Sequence, residues 1–263
     1  MRLNEITSRL LRIHHYKQVT FILHAILTSI YIGCCVYSGY FMWLSGNENV
    51  LNKFIRNGKA SMGYLISIWV TVVEGIFFCS YSVIDILEGY YLFYRKSERA
   101  LLWRLFLRNI ARYILFSVVF PLSVAVAILF WGLYFWDREL IYPKIMDDVF
   151  SPFVNHMMHT YPVPLSILYM FVEIREEPPK LKALAFLTVF MLAYSLVFFS
   201  QNYSHDEWIY PVFGALTPSQ TNWIIILSEI IPYIFLFVGY YIHSKMKDVQ
   251  SYFDTRVIEL KSR

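Results

Sequence analysis

This chain of 263 residues is short of charge: Asp, Glu, Lys and Arg make up 16% of it, where soluble domains carry about a quarter. With 57% hydrophobic and 19% aromatic residues and a mean hydropathy of +0.47, it suits lipid as its solvent. Cysteine is scarce too. Cys34 and Cys35 are adjacent and Cys79 stands in another apolar block, which gives neither a disulfide framework nor a metal spacing. They read as helix-packing residues. A Gly-rich phosphate loop, a G-x-S-x-G elbow and any nucleotide motif are missing, and no repeat, low-complexity tract or linker divides the chain. The apolar residues fall in long blocks and do not alternate, which excludes a transmembrane β-barrel. The formal charge of +4 lies mostly between the blocks, so it speaks about orientation and lipid headgroups. Nucleic-acid binding would need a soluble basic face, and none is available.

Six blocks are present, at residues 19–44, 61–87, 109–136, 152–174, 181–200 and 222–243. Each is near or above the roughly 20 residues that cross a hydrocarbon core of about 30 Å at about 1.5 Å per residue. They predict an all-α polytopic membrane protein, a single bundle of about six transmembrane helices. Met1 to Lys17 is charged and amphipathic, and the block after it has no short h-region with a small-residue cleavage site, so it is expected to remain as a first helix. The fourth block holds Pro152, Pro162 and Pro164, which remove backbone donors. A kinked or broken span is expected there, tolerable in lipid only if protein covers the freed carbonyls.

Lys and Arg between the blocks alternate. The N-terminal segment, residues 88–108 and 175–182 and the tail hold 17, while residues 45–60, 137–151 and 201–221 hold 5. The positive-inside rule then puts both termini on the cytoplasmic side, with 244–263 as a charged cytoplasmic tail against anionic lipid. The sequon Asn202-Tyr203-Ser204 falls on the outer side but too near a span for glycosylation to be expected.

Polar side chains inside spans are costly and so are functional candidates. In the second span Ser67, Thr71 and Glu74, at i, i+4 and i+7, share one helical face. In the fourth, Asn155, His156, His159 and Thr160 share another. Two polar faces suggest a common internal cavity. Helix rise puts Ser67 and His159 at a similar depth, roughly 10 Å below the outer surface. A hydroxyl activated by an imidazole is the minimal apparatus for attack on an ester, with a third group often orienting the base. Asn155 and Glu229 are candidates for that group, and Asn155 and His156 for substrate or oxyanion contacts. Plainer readings stand beside these. Ser67 taken alone is a packing residue before it is a nucleophile; His156 and His159 form an H-x-x-H pair, yet no further ligand completes a metal site. Glu74 is either a proton-relay residue of a transporter or a protonated carboxyl bonded to a neighbour. No cofactor is expected.

The stretch Phe130 to Thr160, FWGLYFWDRELIYPKIMDDVFSPFVNHMMHT, resembles the signature of the androgen-induced gene 1 family. Phe120-Pro121 and Trp208-Ile209-Tyr210-Pro211 support the likeness, which covers about residues 61–243. The resemblance implies a six-span hydrolase of fatty acid esters of hydroxy fatty acids (FAHFA) that uses a threonine nucleophile and a histidine. The family's catalytic histidine, the second in N-H-x-M-H-T, falls on His159. Its threonine, counted back from Phe77-Phe78, falls on Ser67, where a serine keeps the hydroxyl. A slip of one turn would make Thr71 the nucleophile. A lipid ester as substrate and the plasma membrane as location follow from the same resemblance. The rival reading is a non-enzymatic lipid-binding or transport protein, which would need Glu74.

Overall fold

A computed structural model describes residues 18–37, 40, 65–93, 98–148, 150–173, 176–205 and 208–262. The expectations for Met1–Lys17, for most of the first block beyond Tyr37 and for the loop at 45–60 lie outside these residues. Among the described residues there are helices and turns and no strand. In chain order α1 spans Gln18–Tyr37 and α2 Ile66–Phe93. Helix α3, Glu98–Ile114, passes through a π-helical turn at Leu115–Val119 into α4, Phe120–Asp137. Short 3-10 turns at Arg138–Leu140 and Lys144–Asp148 lead to α5, Pro152–His159, and α6, Pro162–Val172. Then come α7, Lys180–His205, a single turn α8, Pro211–Ala215, and α9, Pro218–Ser262.

Among the described residues five runs are long and apolar enough to cross a membrane: Gln18–Tyr37, Ile66–Tyr91, Glu98–Leu140, Lys180–Gln201 and Pro218–Val249. The chain is therefore an all-α, polytopic integral membrane protein. Its outward side chains agree, since Leu181, Val189, Leu192 and Leu196 on α7 are all more than half exposed, as lipid-facing residues are. The third block, expected at 109–136, is part of a continuous helical run of 43 residues, because nothing between Glu98 and Asn109 breaks a helix. The last block likewise continues through the tail to Ser262, with Pro232 its only interior proline.

The run α3–α4 is the axis of the bundle, and every residue from Leu115 to Val126 is buried. The π turn has a local cause. Pro121 has no N–H for the carbonyl of Ser117, and the ladder widens there, with the Phe120 N–H reaching the Leu115 carbonyl. The hydroxyls of Ser117 and Ser123 donate back to the carbonyls of Tyr113 and Val119. At one end of the bundle α2, α3 and the segment after α6 meet in ion pairs, Arg104–Glu88 at 3.4 Å, Arg108–Glu173 at 4.0 Å and Arg112–Glu176 at 3.6 Å. His24 pairs with Asp85 at 2.5 Å and His243 with Glu177 at 3.1 Å at the same end. The opposite end holds the start of α2, the end of α4 and the whole of α5, and these form the site.

Helices α4 and α9 pack against each other, with Gly239 of α9 facing the Phe120 ring of α4. A Cβ there would lie 2.8 Å from Cδ1 of the buried Phe120 ring and 3.5 Å from Met170 Cε. Gly239→Leu is expected to lower stability by about 1–3 kcal/mol through overpacking. Thermal unfolding of the detergent-solubilised protein checks it, against Gly33→Ala, where a Cβ meets nothing within 4 Å.

Candidate active site

Helix α5 begins on a cap. The Ser151 hydroxyl accepts the Val154 N–H at 3.4 Å and Pro152 occupies the first turn. It ends eight residues later because Pro162 and Pro164 have no N–H for the carbonyls of Met158 and Thr160. The chain closes with the N–H groups of both Thr160 and Tyr161 on the His156 carbonyl, and α6 then starts at Pro162. The freed end is covered by α4, since the Trp131 indole N–H is 3.2 Å from the His159 carbonyl and 3.1 Å from the Thr160 hydroxyl. The helix of the fourth block is thus broken at Pro162 and Pro164, and Trp131 supplies a donor to the end of α5.

The break leaves His159 on the last turn of a short helix, with its ring stacked on Phe130 at a centroid distance of 3.6 Å and an interplanar angle of 11°. Its Nδ1 lies 2.9 Å from the Asn155 carbonyl oxygen and 2.8 Å from Asn155 Oδ1. A main-chain carbonyl can only accept, so Nδ1 carries the proton. Nε2 then holds the free lone pair, the tautomer a general base requires.

Ser67 sits in the first turn of α2, where backbone N–H groups find no carbonyl of their own helix. That end is tied down from far along the chain. The Ile66 N–H donates to the Tyr210 hydroxyl at 2.9 Å, and Tyr210 bonds Tyr194 at 3.1 Å. Ser67 and His159 line one cavity together with Leu129 and Phe130 of α4, Tyr194 and Phe198 of α7, and Ser228 and Glu229 of α9. About 910 Å³ of space free of atoms lies within its bounds, the open mouth included. Its wall is overwhelmingly apolar. The described hydrogen bonds include none between Ser67 and His159, so the two share a wall without being bonded to each other.

The other candidates divide. Asn155 lies behind His159 and orients it through Oδ1, and it does not line the cavity, which removes it as an oxyanion donor in this arrangement. His156 does not line the cavity. It bonds Thr160 at 3.0 Å and stacks on Trp131. The Thr71 hydroxyl donates to the Ser67 carbonyl at 2.8 Å, within its own helix, and is also absent from the cavity wall. Glu74, fully buried, lies 2.8 Å from the Ser123 hydroxyl, with the Tyr31 hydroxyl also beside it. Glu229 does line the cavity, but its described partner is Ser195, at 2.6 Å, and not His159. Among the described residues no three His, Cys, Asp or Glu side chains are grouped as a metal site would need. Sequence reasoning missed Trp131 and Phe130, although both stand in the stretch FWGLYFW next to the proline-broken block.

A family model described as FAR-17a/AIG1-like protein matches residues 19–244. The androgen-dependent TFPI-regulating protein of Mus musculus is 28% identical over 202 residues, 77% of this chain and 82% of that one. Its counterpart in Homo sapiens is 26% identical over 201 residues, 76% and 81% of the two chains. The androgen-induced gene 1 protein of Homo sapiens is 30% identical over 124 residues, 47% and 51% of the two. No solved structure matches the chain.

Trp131 holds the break closed, so Trp131→Phe should leave two acceptors without their donor and cost about 1–3 kcal/mol. A lowered midpoint for the variant in detergent is the expected reading, and an unchanged midpoint would mean that the covering bond contributes nothing.

Proposed function

The chain belongs to the FAR-17a/AIG1-like family, and from that membership and the cavity shared by Ser67 and His159 we propose that it is a membrane-embedded carboxylic ester hydrolase. Its substrate is a long-chain lipid ester of the type found in fatty acid esters of hydroxy fatty acids. The observation that carries the reading is the His159 tautomer, with Nδ1–H held by Asn155 and Nε2 left as a base in an apolar cavity that also holds a serine hydroxyl.

In this mechanism the ester reaches the cavity from the bilayer with its carbonyl beside Ser67. A small adjustment brings the Ser67 hydroxyl to Nε2 of His159, which removes its proton as Oγ bonds the carbonyl carbon. The tetrahedral oxyanion is met by the Ser67 backbone N–H, in the first turn of α2 and at the positive end of the helix dipole. Collapse breaks the ester C–O bond, and the imidazolium gives its proton to the departing alcohol. Water then attacks the acyl-serine with the same base, releasing a carboxylic acid and the free enzyme. No cofactor enters. The Leu, Val, Ile and Phe side chains of the wall accommodate the acyl chains.

We further propose six crossings, the fourth being α5 and α6 taken together around their break, with both termini cytoplasmic and the plasma membrane as location. In support, Lys and Arg cluster at the ion-paired end of the bundle, and on this reading the cavity, at the other end, opens on the outer side. A non-enzymatic lipid-binding or transport protein is the second reading. It draws on Glu74, a fully buried carboxyl, but Glu74 is engaged by Ser123 and Tyr31 and stands off the cavity wall.

Purified protein with a fluorescent lipid ester separates the two. Ser67→Ala and His159→Ala should each reduce kcat by about 10²-fold or more, whereas Thr71→Ala and Glu74→Gln should keep most of it. Full activity in His159→Ala, or its loss only in Glu74→Gln, would contradict the hydrolase.

A further inference from the structure

Tyr194 of α7 and Tyr210, just before α8, line the cavity with Ser67 and His159, and their hydroxyl protons can be counted. The two oxygens lie 3.1 Å apart, so one proton is spent between them, whichever tyrosine gives it. Tyr210 also accepts the Ile66 N–H at 2.9 Å, a bond that uses a lone pair and no hydroxyl proton. One O–H of the pair is therefore left over, with no acceptor among the described residues. It sits on Tyr210 if Tyr194 gives the shared proton, and on Tyr194 if Tyr210 does. The other side-chain donors of the wall are committed. His159 spends Nδ1–H on Asn155, and the Ser228 hydroxyl donates to the Ile225 carbonyl at 2.8 Å. Apart from the Ser67 hydroxyl, the spare phenol proton is thus the side-chain donor that the wall has to offer, and a donor in an apolar wall is costly until an acceptor meets it.

The pair stands beside the nucleophile, because Ile66, which ties Tyr210 to α2, immediately precedes Ser67, with Cα atoms about 3.8 Å apart. Its rings are held in place: Trp69 meets Tyr194 edge-on at 5.7 Å, and Phe213 meets Tyr210 at 6.2 Å. We propose that the spare tyrosine O–H is a catalytic donor, which joins the Ser67 backbone N–H to form a two-donor oxyanion hole; the proposal rests on the hydrolase reading. As Ser67 Oγ bonds the carbonyl carbon, the carbonyl π electrons move onto oxygen, and the phenol hydrogen bond strengthens toward that charge. The phenol keeps its proton throughout, so proton transfer runs only between Ser67, His159 and the departing alcohol. When the intermediate collapses and the C–O bond to the alcohol breaks, the electron pair returns to the carbonyl. The same donors then serve the attack of water on the acyl-serine. A neutral phenol suits this wall, which has no Lys or Arg, because a cation would have to be desolvated there.

The proton count makes an unusual forecast for full-length protein in nanodiscs cleaving a fluorescent lipid ester. Tyr194→Phe and Tyr210→Phe each leave one O–H in place, so each should keep kcat within about tenfold of wild type. The double variant has none, and its kcat should fall about 10²-fold with KM little changed, more than the two single losses multiplied. Two long-chain ligands of equal length separate a donor from a mere support of the cavity: a trifluoromethyl ketone, which Ser67 converts to a tetrahedral adduct, and an ether with no carbonyl. The double variant should bind the ketone about 10²-fold more weakly and the ether as wild type does. Unchanged kcat in the double variant, or equal weakening of ketone and ether, overturns the tyrosine donor. If Ser67→Ala and His159→Ala abolish cleavage while the double variant retains it, the tyrosine donor alone is lost. Absence of cleavage by wild type overturns the hydrolase and the donor together.

Discussion

In a bilayer a carbonyl that loses its helical donor cannot turn to water, and the site depends on how that constraint is met at the end of α5. Two adjacent residues of the central helix grip this end from two directions. Trp131 gives its indole proton to the His159 carbonyl and the Thr160 hydroxyl, while Phe130 lies flat on the His159 ring. The prolines make the break and the aromatic pair makes it tolerable. A helix running straight through residues 160–161 would put His159 in the middle of a span, where its carbonyl would be paired within the helix and nothing would call for Trp131.

The same economy explains how few polar groups reach the cavity. On α2 the face that carries Ser67, Thr71 and Glu74 is used for three different ends: Ser67 lines the cavity, Thr71 bonds back to the Ser67 carbonyl, and Glu74 joins α2 to α4 through Ser123. On α5, Asn155 spends its amide oxygen on the imidazole and His156 turns to Thr160. What remains in contact with the space is the Ser67 hydroxyl, one imidazole, a tyrosine pair and the Ser228 and Glu229 side chains of α9. A long-chain ester is matched by such a wall because most of its surface asks only for apolar contact.

Much of this was legible in the residues themselves. Long apolar blocks announced a helical membrane protein, and Pro162 and Pro164 announced the break in the fourth block. What could not be read was which way each polar side chain turns. The i, i+4, i+7 spacing places three residues on one face but cannot separate a hydroxyl that back-bonds to its own helix from one that faces a space. Nor does spacing reveal Tyr210, which reaches the start of α2 from 144 residues away. The length of α3–α4 was underestimated for a different reason: charged residues from Glu98 to Arg108 end an apolar block without ending a helix. In the same way the charged tail continues α9.

Reaction of the purified protein with a fluorophosphonate, followed by peptide mass mapping, tests the central claim most directly. The account predicts a phosphonyl adduct on Ser67 that forms in wild type and is strongly diminished in His159→Ala, because the nucleophile needs that base. An adduct on another residue, or labelling of Ser67 that ignores the loss of His159, would contradict it.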